Sequence, residues 1–439
     1  MTPEQRPHPL HSGERRLARI LQAVVVLGLV GLLFADLATQ GEDESSGGQD
    51  DIAKTQPTVT PESSPTTLDQ ATPEPSPTST RPWETGIDTT LATVPIGTFR
   101  EFTLVATGDL ISHGAVAERA ANAAQQGWDF SPLFRRVRPI LAGADLAICH
   151  LESPLSRNDN DLSFKGTFRV PSSLADAIAG AGYDGCSLAS NHSLDSGPSS
   201  VSSTLHHLHR AGLATSGMAE SAETAGPAWY EPGGIQVAHF SVTDLLNGRD
   251  LPFDPPWMVP NLDVDRVIAE ARAARGDGAE FVVVSIHWGE EYQSTLTERQ
   301  RSAGSRLLAA PEVDLVLGHH AHVIQPVDIT PKGAVVYGLG NFLTNQPGDE
   351  NNPCRSCPPE TQDGLIAWFQ VQDVRGNGGI RIIDAGYVPT WVDREHSHEV
   401  VPIGVDEPDH VEPAILAASA ARTAAVVEPS LRRLQFVAG

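Results

Sequence analysis

Cations are scarce in this chain of 439 residues, with 30 Lys and Arg against 55 Asp and Glu and a formal net charge of −25. That deficit excludes nucleic acid as a partner, because so acidic a surface repels phosphate backbones and no basic stripe with interleaved aromatics occurs. Cysteine is scarce as well, four in all. A thiolate zinc knuckle is excluded, since Cys354 and Cys357 have no second ligand pair at the required spacing. No period-locked repeat is present, which removes solenoids. Long apolar runs are confined to a single stretch near the start. What remains is ample: hydrophobic residues make up 40% and charged residues 19%, so wholesale disorder is excluded and a core of a few hundred residues is affordable.

The charge divides the chain into three parts. Residues 1–39 carry four Arg against three acids, residues 40–98 carry ten acids against Lys54 and Arg81, and the remainder holds −18. In the first part Arg6, Arg15, Arg16 and Arg19 precede the apolar run Ile20 to Ala35, and acids follow it. This pattern predicts a cytoplasmic tail and a membrane anchor over 1–39, with the bulk of the chain outside the cytoplasm. The rival is a cleaved signal peptide, which would leave a secreted protein, although no clean pair of small residues marks a cleavage site. Residues 40–98, rich in Pro, Ser and Thr, predict a disordered stalk that spaces a domain from a surface.

From about Phe102 the texture becomes α/β. Apolar β-branched runs predict strands at 102–109, 144–152, 183–192, 235–242, 281–289, 313–322 and 334–342, each running into a polar cluster. Helical spacing predicts helices at 172–181, 199–211, 264–275 and 300–309, and an Ala-rich docking helix at 413–427 in a C-terminal segment, 401–439, that follows the domain at 99–400. Polar residues placed repeatedly past strand ends point to one shared crevice. The strand ends deliver Asp109, Glu152, Asn191 with His192, His287, His320 with His322, and Asn341. Oxygen and nitrogen donors without thiolate suit manganese, iron, zinc or magnesium. His-x-His at a strand end is expected to aim both imidazoles to one side through strand alternation, with Gly318 permitting a tight turn. His239 and the helical His206, His207 and His209 read as ordinary structural residues.

The motifs GD (Gly108, Asp109), LESP (Leu151 to Pro154), LASNHSLDSG (Leu188 to Gly197), HWGEEY (His287 to Tyr292), GHHAH (Gly318 to His322) and YGLGNF (Tyr337 to Phe342) resemble, in order, those of the CapA family associated with poly-γ-glutamate capsule synthesis. That family is similar in fold to the calcineurin-like metallophosphoesterases. The resemblance implies a sandwich of two β-sheets flanked by helices. It also implies two divalent metal ions held by Asp109, Glu152, Asn191, His287, His320 and His322, with His192 as catalytic histidine. Three departures stand out: His150 and Ser190 occupy positions where the family usually has Asn, and Ile111 stands where the superfamily has a metal-binding His. His113 either supplies the missing imidazole, supports the ligands from behind, or takes no part in the site.

Such a site would draw a phosphate ester into a cationic crevice in an acidic protein. His192 would serve as general acid. Asp195 either orients that imidazole or caps the following helix, while Glu291, Trp288 and Asn341 are expected at the rim. Cys354 and Cys357 predict a local disulfide, with a redox pair as the alternative; Cys149 and Cys186 read as buried small hydrophobes. Two functions stay open. One is an extracytoplasmic metal-dependent hydrolase of small phosphorylated or polymeric envelope substrates working with capsule-synthesis machinery. The other is a non-catalytic accessory component that positions a surface polymer.

Overall fold

The computed structural model describes residues 100–348, 354, 356–374 and 379–435. The predicted anchor and stalk lie outside them. Among the described residues no helix is long and apolar enough to cross a membrane.

The described residues build two sheets. One has the order β16 (Val400–Pro402), β15 (Gly379–Val392), β14 (Asp363–Val374), β1 (Glu101–Leu110), β2 (Leu146–Leu151), β5 (Gly185–Ser187) and β6 (Ala214–Ser216). Two short strands join off this path: β13 (Asn341–Leu343) beside β1 and β17 (Arg432–Arg433) beside β15. The other has the order β11 (Val327–Thr330), β12 (Gly333–Val336), β10 (Leu315–His319), β9 (Phe281–His287), β8 (Val237–Thr243) and β7 (Ala228–Tyr230). A separate hairpin joins β3 (Ser163–Lys165) to β4 (Thr167–Arg169).

Alternation along the strands explains the layering. Leu104 and Ala106 of β1 share one cluster with Phe281 and Val283 of β9, and Phe102 meets Phe281 edge-on at 5.9 Å, so these faces form the core between the sheets. The intervening Val105 turns the other way, toward α1 (Gly114–Ala123), α2 (Arg138–Gly143), α3 (Leu174–Ala181) and α4 (Pro198–Arg210). Val282 and Val284 likewise face Val267 of α5 (Val264–Gly276) and Leu307 of α6 (Glu298–Ala309). The result is helix, sheet, sheet, helix, with central strands buried on both faces. Local signals agree. Asp263 caps α5 by accepting from the Asp265 and Arg266 amides, and Thr297 with Gln300 forms a capping box at α6.

The long antiparallel pair β14 and β15, which extends the first sheet, was not among the predicted strands. α7 (Pro413–Val427) begins at its proline and packs on this pair, where Ser419 and Arg422 donate to Asp363 at 2.7 and 2.6 Å. Two disulfides are present. Cys354 pairs with Cys357, as the spacing predicts. Cys149 and Cys186, expected as separate small hydrophobes, are also bonded, because they are register partners on adjacent parallel strands β2 and β5.

Candidate metal centre

Parallel strands β1, β2 and β5 of one sheet and β8, β9 and β10 of the other deliver their carboxyl ends to one place. Asp109 sits near the end of β1, where Gly108 lets the chain approach Gly340: a β-carbon there would lie 2.0 Å from the Gly340 carbonyl oxygen. The Asp109 amide then donates to that oxygen at 3.0 Å. Glu152 follows β2 directly, and its amide donates to Leu110 O at 3.1 Å. Asn191 and His192 lie in the turn after β5. Ser190, standing where the family's Asn is usual, ties this turn to Glu152 by donating to its carbonyl at 3.3 Å. His287 ends β9.

The histidines after β10 arrive differently from the sequence expectation. The strand ends at His319, and His320 and His322 have φ of 87° and 56°. Left-handed backbone at two non-glycine residues is strained and concentrates at functional sites. The turn, rather than strand alternation, therefore brings the two imidazoles to within 6.0 Å, centroid to centroid. Gly318 keeps a negative φ; its role is close packing, since a β-carbon would lie 1.9 Å from Tyr337 O.

Ligand atoms of Glu152, His320 and His322 lie within 4.8 Å of one another, and the same holds for Asp109, His150 and His319. All six residues are buried. Both Glu152 carboxylate oxygens and His320 Nδ1 are buried with no hydrogen-bond donor or acceptor. An ionised carboxylate so placed is costly unless a cation answers it. Burial pushes the Glu152 carboxyl up to about 7, aided by Asp109 and opposed by His322. Burial also pushes Asp109 up, but hydrogen bonds from His319 and His322 hold it well below the usual carboxylate range.

The hydrogen bonds place the Nδ1 proton of three histidines. Asn341 Nδ2 donates to Gln346 Oε1 and Thr361 O at 2.9 Å each, so its Oδ1 must be the acceptor facing His322 Nδ1 at 2.9 Å. His322 Nδ1 therefore carries a proton; its Nε2 faces Glu152 Oε1 at 3.7 Å, and although burial pushes this imidazole down, Glu152 and Asp109 outweigh it and push it up to about 10, so without a cation in the site Nε2 is protonated as well. Ser187 donates to Cys149 O at 3.2 Å and so accepts from His150 Nδ1 at 2.8 Å. His150 Nε2 must then accept from His287 Nδ1 at 3.0 Å. Burial holds His150 and His287 well below the usual imidazole range, so both are neutral. The His287 Nε2 lone pair thus points at the Asn191 side-chain amide, 3.0 Å away, and at Glu152 Oε1, 3.9 Å away. Oxygen and nitrogen groups converging on a carboxylate without a hydrogen-bond donor fit divalent cations.

Among the sequence candidates, Asp109, Glu152, Asn191, His287, His320 and His322 are all brought together here. His192 Nδ1 is 2.8 Å from Asp195 Oδ2, and its ring meets Phe168 edge-on at 4.7 Å. Asp195 does not cap α4, whose N-cap is Gly197; it instead accepts from the imidazole and from the Phe168 amide at 2.5 Å. Glu291 is exposed. Trp288 and Asn341 are corrected from rim to interior, both 0% exposed. Trp288 stacks on Tyr337 and donates to its carbonyl, while Asn341 sits behind His322. His113 lies outside both clusters, where its ring accepts the Asn345 amide at 3.3 Å, and burial, with His322 and His192 nearby, pushes it down to about 3. The imidazoles beside Asp109 come from His319, at 3.0 Å, and from His150, stacked on His319 at 4.0 Å. His319 and the role of His150 were missed, although the His-His pair and the unusual His150 were visible signals.

Residues 103–346, more than half of the chain, match the family described as bacterial capsule synthesis protein PGA_cap. The chain is 29% identical to the capsule biosynthesis protein CapA of Bacillus anthracis, covering 56% of this chain and 60% of that protein. It is 26% identical to the PGA biosynthesis protein CapA of Bacillus subtilis, covering 51% and 58%. The chain thus spans about 60% of the length of the curated relatives it matches. Among solved structures, the calcineurin-like phosphoesterase YfkN from Bacillus subtilis aligns with a TM-score of 0.37 at 10% identity, over 74% of this chain and 97% of that chain.

Proposed function

The chain belongs to the bacterial capsule synthesis protein family PGA_cap, and from that premise we propose that it is a metal-dependent phosphoesterase-type hydrolase of the calcineurin-like kind, working on an envelope substrate during poly-γ-glutamate capsule biosynthesis. The observation that carries this reading is the buried Glu152 carboxylate, which has no hydrogen-bond donor and is ringed by His287, His322 and, beside His287, the Asn191 amide. A scaffold that merely held a polymer would have no physical reason to bear that cost.

Asp109, Glu152, Asn191, His287, His320 and His322 would hold two divalent ions, drawn from manganese, iron, zinc and magnesium. The chemistry such ions supply is Lewis-acid polarisation of a phosphoryl oxygen and activation of water near neutral pH. The protein's own residues do the rest. Asn341 and His150 hold His322 and His287 in the tautomers that present Nε2 inward. Asp195 fixes His192 through Nδ1, which leaves Nε2 to pass a proton to a departing alkoxide. Location outside the cytoplasm, through an anchor at residues 20–35, is part of the proposal and rests on the arginine-rich flank before that run and the acids after it.

The test is elemental analysis together with hydrolysis of a generic phosphate monoester and diester by the intact chain, His322→Ala and His192→Ala. The expected result is metal and turnover in the intact chain, metal loss in His322→Ala, and turnover loss with metal retained in His192→Ala. A metal-free, inactive chain that still binds poly-γ-glutamate would overturn the hydrolase and leave the accessory role.

A further inference from the structure

A third histidine-carboxylate group lies apart from the strand-end site. Asp393, directly after β15, is fully buried, whereas the side chains of His396 and His410 are 55% and 46% exposed. His396 Nδ1 is 3.0 Å from Asp393 Oδ1, and His410 Nε2 is 2.8 Å from Asp393 Oδ2. The ligand atoms of all three residues lie within 4.8 Å of one another, and the two rings are 4.6 Å apart. The carboxylate cannot swing away. Ser397 donates to Oδ2 through its hydroxyl at 2.7 Å and its amide at 3.3 Å, and the Asp393 backbone pairs with Glu399 and His398.

We propose that Asp393, His396 and His410 form a separate site for one borderline divalent cation such as zinc. Two imidazoles and a carboxylate make a three-ligand set of the kind zinc takes, with the solvent side left for water. Glu407, Asp409 and Glu412 in the same segment add to the local negative potential, while Glu395 is paired with Arg394.

Occupancy would join two segments distant in sequence, the turn after β15 and the residues just before α7. The same turn grips the wall of the strand-end site. His398 Nε2 meets Asn345 Oδ1 at 2.8 Å, and Arg394 donates to Gly348 O at 2.6 Å. Next to Asn345, Gln346 donates to the Tyr292 hydroxyl at 3.2 Å and accepts from Asn341. The ion would therefore fasten the C-terminal segment to a loop that bounds the strand-end site, a structural role separate from hydrolysis.

The experiment loads the full chain with zinc by equilibrium dialysis and counts zinc per chain in wild type, in His396→Ala/His410→Ala and in Glu152→Gln. The double variant is expected to hold one zinc fewer than wild type and to keep the ions that Glu152→Gln loses. Copper(II) added to Glu152→Gln is expected to give a paramagnetic resonance spectrum with coupling to two imidazole nitrogens, lost when His396 and His410 are also replaced. Equal zinc content in wild type and a folded double variant would overturn the site. If the double variant unfolds, the single exposed change His396→Gln serves instead: tenfold weaker zinc binding supports the site and unchanged binding overturns it. Failure here leaves the hydrolase reading untouched, because that reading turns on His322 and His192.

Discussion

Two histidine-carboxylate clusters in one molecule meet their charge in opposite ways. Around Glu152 the carboxylate has no hydrogen-bond donor; His150 turns the His287 Nε2 lone pair inward, and the second proton on His322 is held there by Glu152 and Asp109, to be given up to a cation. Around Asp393 each oxygen already receives a donor, and the imidazoles stand half in water. A cation at the first cluster takes the place of one imidazole proton and reaches a buried charge that no hydrogen bond answers. At the second it must displace protons that already satisfy the carboxylate. The contrast teaches that ligand type and proximity do not rank metal sites; the fixed direction of the protons does.

Predictions follow that order of effect. Glu152→Gln removes the unanswered charge and offers an amide instead, so metal at the strand-end site and turnover should fall together, turnover by about 10³-fold or more; retention of both would erase the distinction between the clusters. His192→Ala should lower kcat by about 10²–10⁴-fold with metal content unchanged, and Asp195→Asn should follow in the same direction, measured as kcat at saturating metal. Replacing the groups behind the ligands, as in Asn341→Leu or His150→Phe, should weaken metal binding about 10–100-fold in a competition titration with a chelator. A His150→Asn variant that recovers most of that loss would show that one hydrogen-bond acceptor behind His287 is what matters. Smallest is His396→Ala in the presence of chelator, which should lower the unfolding free energy by about 1 kcal/mol, because one hydrogen bond to Asp393 Oδ1 is lost from a half-exposed imidazole while Ser397 and His410 still serve Oδ2. A larger change would mean that the second cluster is held by its hydrogen bonds alone.

Much of the strand-end site was legible because each ligand follows a buried strand, and a buried strand announces itself as an apolar run with a polar break. Asp109, Glu152, Asn191 and His287 were found by that rule. His320 and His322 were found for a wrong reason, since their meeting depends on left-handed backbone that no alternation pattern encodes. Trp288 was misplaced at the rim because its position next to His287 says nothing about a stacking partner, Tyr337, that arrives from another strand. His150 and Ile111 appeared as two unrelated departures. In the fold, the place beside Asp109 left without an imidazole at Ile111 is filled from His319 and His150. The Asp393 cluster gave no warning, since His396 and His410 belong to no motif and are brought together by the return of the chain before α7.

The sequence by itself determined the α/β alternation, the strand-end ligand types, the acidic balance, and the Cys354–Cys357 pair, because each depends on composition or on contacts a few residues apart. Tertiary structure alone decided the Cys149–Cys186 bond, the interior places of Trp288 and Asn341, and which imidazole nitrogen carries each proton. Those depend on sheet register and on hydrogen-bond partners tens to hundreds of residues away, and a periodicity of two or three to four residues holds no information about either.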